Sequence, residues 1–358
     1  MLINHCKITD GGGVRGIAAL MMLDEVMKKS HPGKLPCEVF NMIGGTSTGG
    51  FIAVMLGIMK MSVAECIDAY TEFMQVVFPR SWWNPDWAKK AASVFTGTKW
   101  DEKPLVKVIK ELIKRRLGDP DILLLDDSFK NNKCKVFLMA VNRTGANNHA
   151  PVTLRTYEHP LEMPALPQMK LWEACRATSA APSFFEPLTI GDYSFLDGGL
   201  QANNPLGWMW NEVLTVYGAT RSTSCLLSIG TGTPKSEKVH DPTLRQVADF
   251  TQDMAGIATN TEVTNILFRS LINAFAPNPN TSKYYRINIG DGCPQWVPSE
   301  DGTSFKWVSL EAREEQDLGQ LDDVAAMKTT IEATKKYIKQ TGAQKLMSEA
   351  ATALAVTA

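Results

Sequence analysis

Short apolar segments alternate with glycine-rich turns and amphipathic segments along the first sixty residues. The pattern predicts a strand at residues 5–9, a helix at 17–29, a second strand at 37–43 and a helix at 51–59. The last of these is apolar on every side, which is typical of a buried central helix. Strand, glycine turn and helix in alternation predict an α/β fold with a parallel sheet.

The same alternation continues to about residue 232 and then changes. Strands are predicted at residues 135–141, 193–196 and 225–229, and a helix at 171–178. Beyond residue 233 the apolar spacing favours helices at 243–275 and 323–354, with one strand at 284–289. We therefore predict a catalytic α/β domain over residues 1–232 and a mainly helical extension over 233–358 that packs on it.

Composition excludes several classes of protein. Of 358 residues, 44% are hydrophobic and 21% are charged, as in ordinary globular proteins. Thirty-seven Lys and Arg against 38 Asp and Glu leave a net charge of -1, too little for non-specific nucleic-acid binding. No signal-peptide pattern opens the chain, and seven cysteines without a CxxC pair argue against a disulfide framework or structural zinc. A cytoplasmic protein is expected.

A GxSxG pattern lies between the second predicted strand and the apolar helix. In Gly45-Thr46-Ser47-Thr48-Gly49 the small flanking residues would allow the strained turn of a nucleophile elbow, with Ser47 at its tip. The alternative is a glycine-rich turn with an incidental serine.

A second glycine turn, Asp10 to Gly16, follows the first predicted strand. Its successive N–H groups could bind the oxyanion that forms when a serine attacks an acyl carbonyl. The stretch also fits GxGxxG, the dinucleotide-binding pattern, but the next strand ends in Gly-Gly-Thr-Ser rather than in an acidic residue, and Glu38 lies at its start. A nucleotide-binding or catalytically silent interaction protein remains the alternative of another class.

Asp197 follows a predicted strand and precedes two glycines. A carboxylate there could act as the general base for Ser47, and a solvated turn aspartate is the alternative. Among five histidines, only His240 gives the Ser-Asp-His order of α/β hydrolases. His240 lies in a polar stretch that no strand-end turn presents, which disfavours it as a base.

Five sequence blocks, taken in order, resemble the patatin-like phospholipase family. They are DGGGVRG at 10–16, GGTSTGG at 44–50, ACRATSAAPSFFEP at 174–187, LDGGLQANNP at 196–205 and LLSIGTG at 226–232. Together they extend over about two-thirds of the chain. The resemblance implies a three-layer α/β/α fold with a mostly parallel central sheet, and a Ser-Asp dyad in place of a triad.

The resemblance also implies roles for individual residues. Ser47 would be the nucleophile, Asp197 its base, and the backbone of Gly11, Gly12 and Gly13 the oxyanion hole. Arg15 would steady the glycine loop or a substrate phosphate, unless it is an ordinary arginine on a helix surface. No metal and no cofactor is implied.

The resulting hypothesis is a phospholipase A-type lipid acyl hydrolase that cleaves a fatty-acyl ester through an acyl-enzyme. A soluble esterase, thioesterase or acyltransferase with the same dyad is the alternative. Headgroup, acyl length, ester position and oligomeric state stay open.

Two further features bear on this hypothesis. Lys7 and Thr9 depart from the family's more apolar first strand and suggest an edge-like or solvated strand start. Trp82, Trp83, Trp87 and Trp100, with lysines nearby, suggest a peripheral membrane contact, the alternative being an aromatic loop packed over the core.

Overall fold

The computed structural model describes residues 3–79, 100–144, 149–161, 166–182, 184–233, 261–275, 284–290, 295–298, 305–308, 318 and 321–356. The strands are β1 (Ile3–Thr9), β2 (Met42–Thr46), β3 (Lys135–Asn142), β4 (Ala150–Arg155), β5 (Leu188–Ile190), β6 (Tyr193–Asp197), β7 (Ser222–Ile229), β8 (Tyr284–Ile287), β9 (Gln295–Pro298) and β10 (Phe305–Val308). The α-helices are α1 (Gly16–Ser30), α2 (Pro36–Val39), α3 (Thr48–Gly57), α4 (Val63–Val77), α5 (Glu102–Leu117), α6 (Leu171–Thr178), α7 (Gly199–Ala202), α8 (Leu206–Tyr217), α9 (Glu262–Phe275), α10 (Ala326–Ile338) and α11 (Thr341–Leu354).

One mixed, mostly parallel sheet of eight strands forms the centre. Its hydrogen-bonded neighbours run β5-β6-β3-β2-β1-β7-β8, and β4 also pairs with β3. The ladders among β1, β2, β3, β7 and β8 are parallel, whereas those of β4, β5 and β6 are antiparallel. β9 and β10 form a separate antiparallel pair.

Helices cover both faces of the sheet, as the predicted three-layer α/β/α fold requires. Because side chains alternate across a strand, Cys6 and Ile8 of β1 pack in a cluster with α8 and α9. Ile43 and Leu227 face the opposite way, into the larger core that contains α1, α3 and α4. All ten residues of α3 are buried, which confirms the predicted central helix.

The register of β3 positions two strand ends next to each other. β4 pairs along residues 137–142 of β3, so β2 and β6 must share the other edge. On that edge Thr46 of β2 pairs with Met139, and Asp197 of β6 pairs with Ala140. The end of β2 therefore meets the end of β6 at consecutive residues of β3.

The strand predicted at residues 37–43 is wrong over residues 37–41. Pro36 occupies the first position of the short helix α2, and the Glu38 carboxylate accepts the N–H of Leu35 at 2.7 Å. β2 begins only at Met42. The predicted helix at 323–354 is likewise two helices, since α10 ends at Ile338 and α11 begins at Thr341.

The expectation of a solvated first strand is also wrong. β1 lies between β2 and β7, where Lys7 pairs with Ile43 on one side and Leu227 on the other. Lys7 is 1% exposed and donates to the hydroxyl of Thr9. Burial lowers the pKa of its ammonium group to about 7. A lysine whose ammonium group has one hydrogen-bond acceptor among the described residues, the hydroxyl of Thr9, thus occupies the core.

Elements of the predicted extension pack on the rest of the chain. β8 pairs in parallel with β7, and α10 and α11 both pack on α1. The sheet therefore continues beyond residue 232, and the division of the chain there stays a prediction. Trp82, Trp83, Trp87 and His240 lie outside the described residues, whereas Trp100 donates its indole N–H to Asp322 at 3.0 Å.

The described cysteines and helices add two observations. Six cysteines are buried and unpaired in the described part of the chain: Cys6, Cys37, Cys66, Cys134, Cys175 and Cys225. None of the described helices has both the length and the apolar character needed to cross a bilayer.

We predict that Lys7→Met raises the free energy of unfolding at pH 7 by about 1–3 kcal/mol, the order of cost of an incompletely bonded buried polar group. The gain should shrink as pH rises, because the unfolded lysine keeps its proton to about 10.5 and the folded one to about 7. Thermal unfolding of both proteins from pH 6 to 10 measures this difference. Lys28→Met, at an exposed position, is the control, and a pH-independent difference would contradict the prediction.

Candidate active site

Ser47 lies on a strained turn between β2 and α3. Its φ of 54° and ψ of -127° place it in the left-handed half of the conformational map, which a non-glycine residue adopts only under constraint. The turn is so tight that a Cβ on Gly45 would lie 2.1 Å from the Gly49 carbonyl oxygen. The Ser47 N–H donates to the Thr178 hydroxyl at 2.9 Å, which holds the turn from the side of α6. This is the geometry of a nucleophile elbow.

Asp197, at the end of β6, meets the Ser47 side chain. The carboxylate accepts the N–H of Gly199 at 2.7 Å, and the Ser47 hydroxyl lies near enough to lower its pKa. Asp197 is only 4% exposed, and burial raises its pKa to about 6 against the opposing effects of the Gly199 N–H, the Ser47 hydroxyl and the Arg176 charge. The carboxylate is ionised at neutral pH and is more basic than an exposed aspartate.

The glycine loop passes directly over this pair. A Cβ on Gly11 would lie 3.2 Å from the Cβ of Ser47. The Gly11 peptide is held on both sides, since its N–H donates to the Asn203 carbonyl at 3.2 Å and its carbonyl accepts the Thr231 hydroxyl at 2.9 Å. Within the described part of the chain, the N–H groups of Gly12 and Gly13 have no acceptor.

The far end of the glycine loop is fixed by two other elements. The N–H of Val14 donates to the carbonyl of Leu321 at 2.8 Å, and the hydroxyl of Tyr70 donates to the carbonyl of Gly13. Gly13 has a φ of 51°, and a Cβ there would lie 2.0 Å from the Leu321 oxygen. Only glycine fits between these partners.

Arg15 follows the loop and is buried, so the alternative of a helix-surface arginine is wrong. It is 4% exposed, and burial lowers the pKa of its guanidinium to about 10. No described carboxylate forms an ion pair with it, and its Nε has no hydrogen-bond partner in the described part of the chain. A buried cation beside the glycine loop thus lacks a counter-ion from the described residues.

His240, the one histidine with the chain order of a triad base, lies outside the described residues. The hydrogen bonds of the four described histidines involve neither Ser47 nor Asp197. Among the described residues, no three His, Cys, Asp or Glu side chains are grouped closely enough to hold a metal ion.

Sequence reasoning missed several residues that hold the site together. Thr178, Asn203 and Thr231 fall inside the family-like blocks, so they could have been suspected, although the blocks assign them no role. Leu321 carries no sequence signal, since it lies in the segment predicted as a helical extension.

Comparison with known proteins identifies the family to which the chain is similar. The sequence profile of the family described as Patatin-like phospholipase matches residues 8–210. The chain is 26% identical over 352 residues to Phospholipase A I of Arabidopsis thaliana, covering 86% of this chain and 26% of that protein. It is 28% identical over 352 residues to human Calcium-independent phospholipase A2-gamma, covering 92% of this chain and 41% of that protein.

A bacterial relative is shorter and matches a smaller part of the chain. The cGAMP-activated phospholipase of Vibrio cholerae is 31% identical over 205 residues, covering 55% of this chain and 54% of that protein. The chain thus spans between about a quarter and about a half of the length of these three relatives. The profile match extends over more than half of the chain and includes both glycine turns, Ser47 and Asp197, and the chain belongs to the patatin-like phospholipase family.

Proposed function

We propose that this chain is a lipid acyl hydrolase that cleaves fatty-acyl esters of phospholipids with Ser47 as nucleophile and Asp197 as base. The observation that carries the proposal is the register of β3, which brings the Ser47 turn at the end of β2 next to the buried Asp197 carboxylate, whose pKa burial raises to about 6. The strained turn presents the Ser47 hydroxyl beside the Gly12 and Gly13 N–H groups, which have no acceptor among the described residues. A nucleophile, a base and an oxyanion site thus meet.

The chemistry follows from these positions. Asp197 takes the Ser47 proton as the serine oxygen bonds to the acyl carbon, and the carbonyl oxygen becomes an oxyanion. The N–H groups of Gly12 and Gly13 stabilise that charge, each by about 3–4 kcal/mol in comparable sites. The intermediate collapses, and the alcohol leaves with the proton from Asp197. Water then attacks the acyl-enzyme with Asp197 again as base, which releases the fatty acid and restores Ser47.

The Gly11 N–H has a different role in this proposal. It was expected among the oxyanion donors, but its bond to the Asn203 carbonyl commits it to holding the loop. Gly12 and Gly13 are therefore the proposed donors, and Gly11 is their support.

A phospholipid is the proposed substrate class for two reasons. The relatives that match most of this chain are named phospholipases, although they are longer proteins. Arg15 adds a buried cation without a described counter-ion beside the glycine loop, as a phosphodiester would require. A neutral ester or a thioester would bring no anionic partner for this charge.

We expect an activity-based fluorophosphonate probe to label Ser47 covalently. Ser47→Ala should abolish labelling, and Asp197→Asn should slow it by about 100-fold or more, because the base that activates the hydroxyl is lost. Gel fluorescence measures the rate, and mass spectrometry of the labelled peptide locates the adduct. Asp192→Asn, an exposed position on the same hairpin, is the control. Labelling of a folded Ser47→Ala protein at the wild-type rate would refute the assignment.

The rate should depend on pH with the titration of Asp197. Only the ionised carboxylate accepts the serine proton, so kcat/KM for a short-chain soluble ester should rise as pH increases through about 6 and then level off. Steady-state assays from pH 4.5 to 8 measure the profile. The residual activity of Asp197→Asn should lack this rise, and a wild-type profile flat between pH 5 and 7 would exclude Asp197 as the base.

Arg15→Gln should separate substrates that carry a phosphate from those that do not. Loss of a charge-assisted bond to phosphate should lower kcat/KM on phosphatidylcholine vesicles by about 10- to 100-fold and leave a p-nitrophenyl ester nearly unaffected. Paired assays on both substrates measure the ratio, with the exposed Arg115→Gln as control. An equal loss on both substrates would assign Arg15 to support of the glycine loop instead.

A further inference from the structure

Arg286 is a fully buried arginine that the proposed mechanism does not use. It lies on β8, beyond the segment that the family profile matches. Its guanidinium donates to both carboxylate oxygens of Asp10, from Nη1 at 3.0 Å and from Nη2 at 2.6 Å. The two residues are 276 positions apart in the sequence. This parallel pair of bonds is the strongest geometry available to an arginine and a carboxylate.

The remaining donors of Arg286 are also satisfied. Nη1 donates to the Ser228 hydroxyl at 2.9 Å, Nη2 to the Thr261 hydroxyl at 2.8 Å, and Nε and Nη2 to Glu262 at 3.2 and 2.8 Å. Every N–H of the guanidinium therefore has a partner. The group is rigid, because moving it would break bonds to Asp10, which follows β1, to Ser228 of β7 and to the start of α9 at once.

Asp10 transmits this rigidity to the glycine loop. It is the last residue before Gly11, and its own N–H is fixed by the Ile229 carbonyl at 3.1 Å. Gly12 and Gly13 have no side chains with which to hold themselves, and glycine backbones are conformationally free. The direction of their N–H groups therefore depends on how the loop is anchored at its two ends. Asp10 and the bonds of Gly11 to Asn203 and Thr231 hold one end, and the Val14–Leu321 bond and the Tyr70 hydroxyl hold the other.

Burial alone would not keep Asp10 in place. Burial raises the pKa of the Asp10 carboxyl, and the neighbouring Arg286 guanidinium lowers it. Without Arg286 the buried carboxylate would have to take up a proton or move towards water. Either change would begin one residue from the oxyanion loop.

We propose that Arg286 is a positioning residue for the oxyanion loop, which holds the Gly12 and Gly13 N–H groups in place through its paired bonds to Asp10. The inference rests on the proposed function, because it assigns an oxyanion role to the loop. Arg286 thereby gives a role in catalysis to a segment beyond residue 210, where the match to the family profile ends.

A second buried ion pair provides a matched control. Arg155 of β4 donates to Glu212 of α8 from Nε at 2.9 Å and from Nη2 at 2.5 Å, and both side chains are almost fully buried. Neither residue contacts Ser47, Asp197 or the glycine loop by any hydrogen bond in the described part of the chain. Arg155→Lys therefore breaks a similar pair at a similar structural cost, away from the site.

The test compares Arg286→Lys with Arg155→Lys. Lysine keeps the charge but cannot form the paired bonds. Arg286→Lys should lower kcat on a short-chain ester and the fluorophosphonate labelling rate by about 10- to 100-fold, with KM changed less than about 3-fold. Arg155→Lys should keep both rates, with a comparable drop in melting temperature.

Asp10→Asn tests the same contact and leaves Arg286 paired with Glu262. If Arg286→Lys does not fold, this variant tests whether the contact between Asp10 and Arg286 supports the rate. It should show the same loss of kcat, and the double variant no further loss, since both act through one contact. Rates in Arg286→Lys and Asp10→Asn equal to those of Arg155→Lys would overturn the inference and leave the hydrolase proposal intact. Failure of the wild-type protein to label would instead refute the proposed function.

Discussion

The register of β3 with its two neighbours on one edge determines the distance between Ser47 and Asp197. β2 ends against Met139, and β6 ends against Ala140, so a strand from each direction stops at the same point of the sheet. The chain leaves β2 through the Ser47 turn and leaves β6 through Asp197. Since a shift of one residue in either ladder would turn the side chains to the opposite face, the contact between hydroxyl and carboxylate depends on backbone pairing.

The glycine loop is held in place by contacts with residues outside it. Its residues must approach Ser47 closely, which excludes side chains, and this leaves the loop without groups to hold its own shape. The molecule supplies anchors from elsewhere: Asn203 and Thr231 hold Gly11, and Tyr70 and Leu321 hold the far end. Preorganised donors of this kind stabilise developing charge because they need not reorient during the reaction.

The buried charged side chains differ in how far their partners offset the free-energy cost of burying a charge. Lys7 lies in the core, where the Thr9 hydroxyl is its one acceptor among the described residues, and burial lowers the pKa of its ammonium group. The arginines Arg155 and Arg286 are buried with bidentate carboxylate partners, which offsets the cost of removing them from water. Only the second of these pairs reaches the glycine loop. The same type of interaction therefore has different consequences according to which backbone it holds.

The sequence pattern by itself determined the alternation of strands and helices, the central apolar helix and the two glycine turns, because these depend on residue types at separations of a few positions. It misjudged residues 37–41, where Pro36 and a local carboxylate cap favour a helical turn, and it placed Lys7 at the sheet's edge, because the order of strands is not a local property. Tertiary structure alone decided that the Gly11 N–H is occupied and that Arg286 reaches Asp10 across 276 residues. Such contacts arise from strand register and layer packing, which no short stretch of sequence encodes.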